Sequence, residues 1–152
     1  MQKFHFKLQP LLNKERIYEN ECLGRLRTIQ DKLLNEEGKL RNLKKQKLKC
    51  QNDLRSKKLQ NTVSVELRTY EEYFLKLGSD INAGNIRFKE VTKELRIVQE
   101  ELAKIVKKRK ALEKLRDRWE DEYKDYLMSL SNKEMDDIAM TKFINKLVAK
   151  ND

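Results

Sequence analysis

From Leu67 to Lys133 one seven-residue register runs without a break. One series reads Leu67, Phe74, Ile81, Phe88, Leu95, Leu102, Arg109, Arg116, Tyr123 and Leu130. Its companion, three residues on, reads Tyr70, Leu77, Gly84, Val91, Val98, Ile105, Leu112, Trp119, Tyr126 and Lys133. Sixteen of these twenty positions are apolar, against about eight for a random draw from a chain that is 38% hydrophobic. A 3.5-residue repeat keeps one stripe turned toward a partner helix and imposes a left-handed supercoil. Such a stripe requires a partner.

The first third of the chain supplies one. A weaker seam in phase with itself runs Leu12, Glu19, Leu26, Leu33, Leu40, Lys47, Leu54 and Glu15, Cys22, Ile29, Glu36, Leu43, Cys50, Lys57. Pro10 suits the first turn of that helix, where no amide donor is needed. Ahead of it Phe4, Phe6 and Leu8 alternate in a short segment that reads as extended or frayed. The register breaks over residues 60–66, and Ser64 followed by Glu66 reads as an N-cap with an acid near the positive helix end. A short link between two long helices makes them antiparallel.

The expected fold is therefore all-α, one antiparallel two-helix coiled coil over residues 1–152. Helix one covers about 9–60, the turn about 61–64 and helix two about 65–148. Opposed seam residues should carry numbers that sum to about 124. Leu40 then faces Gly84, a bulky side chain against none, and Glu15 falls near Arg109. Gly78 and Gly84 each cost roughly 1 kcal/mol inside a helix, so a kink there is the rival to a continuous helix. Beyond Arg116 roughly thirty residues of helix two lack helix one, and they carry Trp119, Tyr123, Tyr126, Leu127 and Leu130, a liability unless another protein covers them. Ser131 and Glu134 have capping-box spacing, which leaves open a bend or a short extra helix after about residue 131. That segment would turn Ile138, Phe143, Ile144 and Leu147 to one side.

Composition limits what such a chain does. It is 39% charged, with four glycines, one proline and a net charge of +10. Lysine and arginine concentrate over 41–58 and 104–118. A basic excess can serve acidic proteins, anionic lipid or nucleic acid, and otherwise is a solvated helix face. No stacking aromatics lie among the lysines, so nucleic acid is not the expected partner. Cys22 and Cys50 lie roughly 42 Å apart along one straight helix, too far to bridge. They read as seam fillers in a reducing compartment. Met1 to Leu8 lacks a signal-peptide core and no apolar run reaches membrane-spanning length, so a cytoplasmic protein is expected.

Catalytic chemistry is missing from the pattern. The only histidine is His5, no glycine-rich phosphate loop occurs, and no cysteine–histidine cluster offers metal ligands. Glu15 and Glu19 share a face but read as seam interruptions near the positive helix end. Two helices enclose no substrate pocket. No enzyme activity, cofactor or metal is expected.

These residues resemble the FliJ family, the small coiled-coil component of the bacterial flagellar export apparatus. The opening Phe4-His5-Phe6-Lys7-Leu8-Gln9-Pro10-Leu11-Leu12 is similar to the family's start. The stretch Ser64-Val65-Glu66-Leu67-Arg68-Thr69-Tyr70-Glu71-Glu72-Tyr73-Phe74 resembles its segment after the turn. Leu112-Glu113-Lys114-Leu115-Arg116, then Lys133-Glu134-Met135-Asp136-Asp137-Ile138-Ala139 and Phe143, follow at similar distances.

The resemblance implies a stalk, similar to the rotor stalk of rotary ATPases. It would link the hexameric export ATPase (FliI-like) to the cytoplasmic part of the export gate (FlhA-like), and help export chaperones to recycle. It would sit in the cytoplasm at the flagellar base, peripheral to the membrane only through the export apparatus. ATPase-ring contacts would fall on Phe4, Phe6, Leu8, Leu12, Trp119, Met135, Asp136, Ile138 and Phe143. Gate contacts would fall on Leu43, Tyr70, Tyr73 and Leu77, with Gln46 and Cys50 standing where aromatics can occur in the family. The alternatives are the equivalent stalk of a virulence-type secretion system and a generic helical chaperone for exported subunits.

Overall fold

A computed structural model of the chain describes residues 3–151. Two helices, α1 (Gln9–Leu59) and α2 (Ser64–Asn151), hold nearly all of them, and no strand occurs among the described residues. The Leu8 carbonyl accepts the first α1 bond from the Leu12 amide at 3.0 Å. Pro10 falls in the first turn, where its missing donor costs nothing.

The end of α1 is built by residues that periodicity does not single out. Asn61 adopts φ 52°, the left-handed conformation that asparagine tolerates better than most residues. This turns the chain so that the Thr62 amide reaches the Lys57 carbonyl at 3.3 Å, and the Thr62 hydroxyl donates to the same oxygen at 2.7 Å. The long bond from Thr62 back to Lys57 is that of a Schellman cap. The expected Ser64 cap is not formed. The Val63 carbonyl accepts the first α2 bond from Leu67 at 3.1 Å, so Ser64 already occupies a helical position. Glu66 does lie in the first turn of α2, next to the positive end.

No new helix starts at Ser131. α2 passes through it to Asn151, because no glycine or proline follows Gly84 and nothing competes with the helix.

The chain divides into two compact units, each made of an α1 part and an α2 part: a mid-chain unit, Tyr18–Lys104, and a terminal unit, Met1–Ile17 with Ile105–Asp152. In the mid-chain unit the helices run antiparallel. Cys22, Leu40 and Cys50 of α1 are buried together with Leu77, Gly84, Val91 and Val98 of α2. Leu40 meets Gly84 so closely that an added Cβ would stand 2.6 Å from Leu40 Cδ2. Cys22 Sγ donates to the Val98 carbonyl at 3.6 Å and Cys50 Sγ to the Tyr70 carbonyl at 3.5 Å. The cysteines are thus free thiols that fill the seam and contact the opposite backbone.

Ion pairs flank this seam in antiparallel order: Arg25–Glu101 at 2.7 Å, Lys32–Glu94 at 3.8 Å, Glu36–Arg87 at 3.4 Å and Lys57–Glu66 at 3.1 Å. Exposed pairs of this kind each contribute under about 1 kcal/mol, so they select register more than they stabilise. Glu36, an acid within the seam, is accounted for by Arg87 and by Lys39 at 3.9 Å.

In the terminal unit the segment before α1 is packed rather than frayed. Phe6 meets Trp119 edge-on at 5.4 Å between ring centroids, and Phe4 meets Tyr123 at 5.8 Å. Residue alternation in an extended segment sends Phe4 and Phe6 to the same side, toward α2. Leu12 is fully buried. The uncovered part of α2 is accordingly shorter than α1's length implies: unbroken exposure starts at Met128, not after Arg116. The expected meeting of Glu15 with Arg109 is built from other residues. Arg16 reaches Glu113 at 3.5 Å, and Arg109 holds the same carboxylate at 3.0 Å. The Arg109 guanidinium lowers the Glu113 pKa below the usual carboxylate value, with Arg16 adding to the effect.

Candidate partner-binding surfaces

Two surfaces stand out, one in each unit. In the mid-chain unit, Gln46, Lys49, Cys50 and Asp53 of α1 line an open cleft of about 250 Å³ with Tyr70 and Tyr73 of α2. Tyr73 is 46% exposed at its rim. Tyr70 is half-buried, and Lys57 Nζ lies 6.0 Å from its ring centre. Leu43 lines a separate groove with Lys39, Asn42, Asp80, Ala83 and Arg87. Leu77 is only 2% exposed and belongs to the interior. Of the four residues tied by resemblance to the gate, the structure therefore brings Tyr70 and Tyr73 to one cleft. Leu43 goes to another groove and Leu77 to the core.

The lysines that interrupt the α1 seam have a role that spacing alone does not reveal. Lys47 lies 5.0 Å from the Phe74 ring centre, as Lys57 lies over Tyr70. Each lays its apolar stem along the seam and sets its charge against an aromatic face. A hydrogen bond to Glu66 raises the Lys57 pKa further above neutrality, so that charge is permanent at physiological pH. Burial pushes the Cys50 thiol up as well, which keeps it protonated and a poor nucleophile.

The second surface is the bare end of α2 in the terminal unit. Every described residue from Met128 onward is exposed, including Met135, Asp136, Ile138 and Phe143. Phe4, Leu8 and Trp119 are half-buried beside it, whereas Phe6 and Leu12 are interior. The nine residues tied by resemblance to the ATPase thus separate into surface residues and residues that hold the surface in place. Sequence reading missed Met140 and Val148, which join Phe143, Ile144 and Leu147 at helical spacing on one exposed face. Counting back three from Phe143 and on four from Ile144 would have found them.

Among the described residues no cluster of histidine, cysteine or acidic side chains is arranged to hold a metal, and no helix is long and apolar enough to cross a membrane. A family model described as FliJ, flagellar FliJ protein, matches residues 4–147. No curated protein and no solved structure matches the chain.

Proposed function

Because the chain belongs to the FliJ family, we propose that it acts in flagellar protein export as a non-enzymatic central stalk. It links a hexameric export ATPase (FliI-like) to the cytoplasmic part of the export gate (FlhA-like) and helps export chaperones to recycle. Family membership makes the chain a component of the flagellar export apparatus. The observation that most supports the finer reading is the bare end of α2, where Met135, Ile138 and Phe143 are each more than half exposed. Apolar side chains gathered in this way favour a protein that covers them.

In this reading Phe4, Leu8, Trp119, Met135, Asp136, Ile138 and Phe143 face the ring, and Phe6 and Leu12 keep that end in shape. Tyr73 is the leading gate contact, with Tyr70 beside it, Leu43 in the neighbouring groove and Leu77 supporting from within. Paired helices resist bending better than one, so movement at a ring contact is passed on instead of being absorbed. The basic tracts draw in acidic surfaces, and binding weakens as salt screens them.

Co-sedimentation of the full chain with a hexameric export ATPase tests the stalk. Ile138→Glu with Phe143→Glu should weaken that binding at least tenfold, roughly what is lost when an apolar anchor is removed from an interface. Circular dichroism should show unchanged helicity, since both side chains face solvent. Undiminished sedimentation would reject the ring-facing assignment. For the gate, Tyr73→Ala with Leu43→Ala should raise the dissociation constant about tenfold in titrations with the gate's cytoplasmic part. Superimposable titration curves would remove those residues from the contact.

A further inference from the structure

Between Asp137 and Asp152 the sequence carries three lysines and no acid. The stretch is helical as far as Asn151. Met140, Phe143, Ile144, Leu147 and Val148 follow one another at offsets of three, four, seven and eight residues, which gathers them on one helix face. All five are between 47% and 65% exposed. Lys142, Lys146 and Lys150, at four-residue spacing, occupy the polar side of the helix, with Lys150 nearest the edge of the apolar face and Lys142 almost opposite its centre. All three are exposed, and among the described residues no ion pair engages them.

We propose that residues 138–151 form an interfacial helix that lies on anionic lipid, with the face from Met140 to Val148 sunk into the bilayer boundary and the lysines of its polar side drawn to the headgroup charge. The charge pattern selects this occupant. A cationic polar side behind an apolar face, with no acid in the same stretch, matches a negatively charged bilayer, whose field reaches about a Debye length, whereas a neutral apolar groove gains nothing from the lysines. The apolar face also mixes aliphatic, thioether and aromatic side chains with no polar group among them, which suits a fluid phase that adapts to shape. Among the described residues nothing in the terminal unit covers it, because unbroken exposure begins ten residues earlier, at Met128.

Five apolar side chains and three charges give weak, reversible association, on the order of that of a single acyl chain. This inference goes beyond the stalk reading and does not depend on it. Phe143 belongs to both surfaces, so lipid and ring are exclusive occupants of that side chain.

Sedimentation of the full chain with vesicles tests the proposal, with no ATPase present. Vesicles of phosphatidylglycerol and phosphatidylcholine in equal parts should carry the protein down, and vesicles of phosphatidylcholine alone should not. Ile144→Glu with Leu147→Glu should abolish binding, and Lys→Gln at 142, 146 and 150 should lower it about fivefold for each lysine removed. All these side chains face solvent, so circular dichroism should show the same helicity in every variant. Absence of binding to the anionic vesicles overturns the proposal. So does full binding by the Ile144→Glu, Leu147→Glu variant, which would mean adsorption through basic residues elsewhere in the chain.

Discussion

Gly84→Val lowers the stability of the helix pair by about 2 kcal/mol, read as a fall in the urea midpoint without a change in slope. Judged on helix propensity alone, any residue except proline should improve on glycine there, by up to about 1 kcal/mol. The opposite sign is expected because the position is already filled from across the seam. An added Cβ would lie 2.6 Å from Leu40 Cδ2 and 3.3 Å from Leu40 Cγ, and Leu40 is itself buried. A lone methyl could be met by rotating the leucine tip. The two branches of valine cannot, so either Leu40 leaves its rotamer or the helices separate.

Gly38 provides the control. It also lies inside a helix, but nothing stands within 4 Å of its would-be Cβ, so Gly38→Ala should stabilise by up to about 1 kcal/mol. Leu40→Ala in the Gly84→Val background should recover most of the loss, because it returns the volume that valine takes. A Gly84→Val protein as stable as the parent, or a double variant no better than the single, would mean that the Leu40–Gly84 contact does not set the helix separation.

Phe6→Ala should release the segment ahead of α1 and shift the emission of Trp119 to the red. Trp119 is the only tryptophan, so the signal has one source. Phe6 is 4% exposed with its ring edge-on to Trp119, whereas Phe4 is only half-buried against Tyr123. Truncating a buried phenylalanine costs about 3–5 kcal/mol where the surroundings cannot close the gap. A segment of six residues, 3–8, has few other contacts with which to offset that, so the expected response is local release with α1 and α2 intact. Collisional quenching of Trp119 should rise while far-ultraviolet dichroism stays the same. Phe4→Ala should give a smaller shift. An unchanged spectrum in Phe6→Ala would show that this ring contact does not hold the segment.

Most of the fold was legible because an apolar residue every three or four positions has one physical use. Opposed numbers summing to about 124 follow once the turn is located, and Leu40 against Gly84 satisfies that relation. Legibility failed where two local signals competed. Ser131 with Glu134 has the spacing of a helix start, yet a capping motif acts only where the chain stops being helical, and nothing there stops it. At the turn, Ser64 looked like the cap while Asn61 and Thr62 did the work on α1, since closing a helix depends on backbone conformation and not on hydrophobic period.

The candidate surfaces were legible as residue types but not as places. Tyr70, Tyr73, Leu43 and Leu77 lie close in number when counted across the turn, yet a seam position and its neighbour differ by about one hundred degrees of helix rotation. Tyr73 is the neighbour of the seam position Phe74 and is turned to the rim of a cleft, whereas Leu77 is itself a seam position and lies in the interior. Lys47 and Lys57 looked like defects in the seam until Phe74 and Tyr70 were found beneath them.

By itself the sequence determined two helices, their antiparallel order, their register and the family, because period, turn and motif are all local in the chain. Tertiary structure alone decided that Phe4 and Phe6 cover Tyr123 and Trp119, and so where the bare part of α2 begins. The physical reason is that a short segment without a period of its own takes whatever apolar surface lies within reach. Reach is a property of the folded chain.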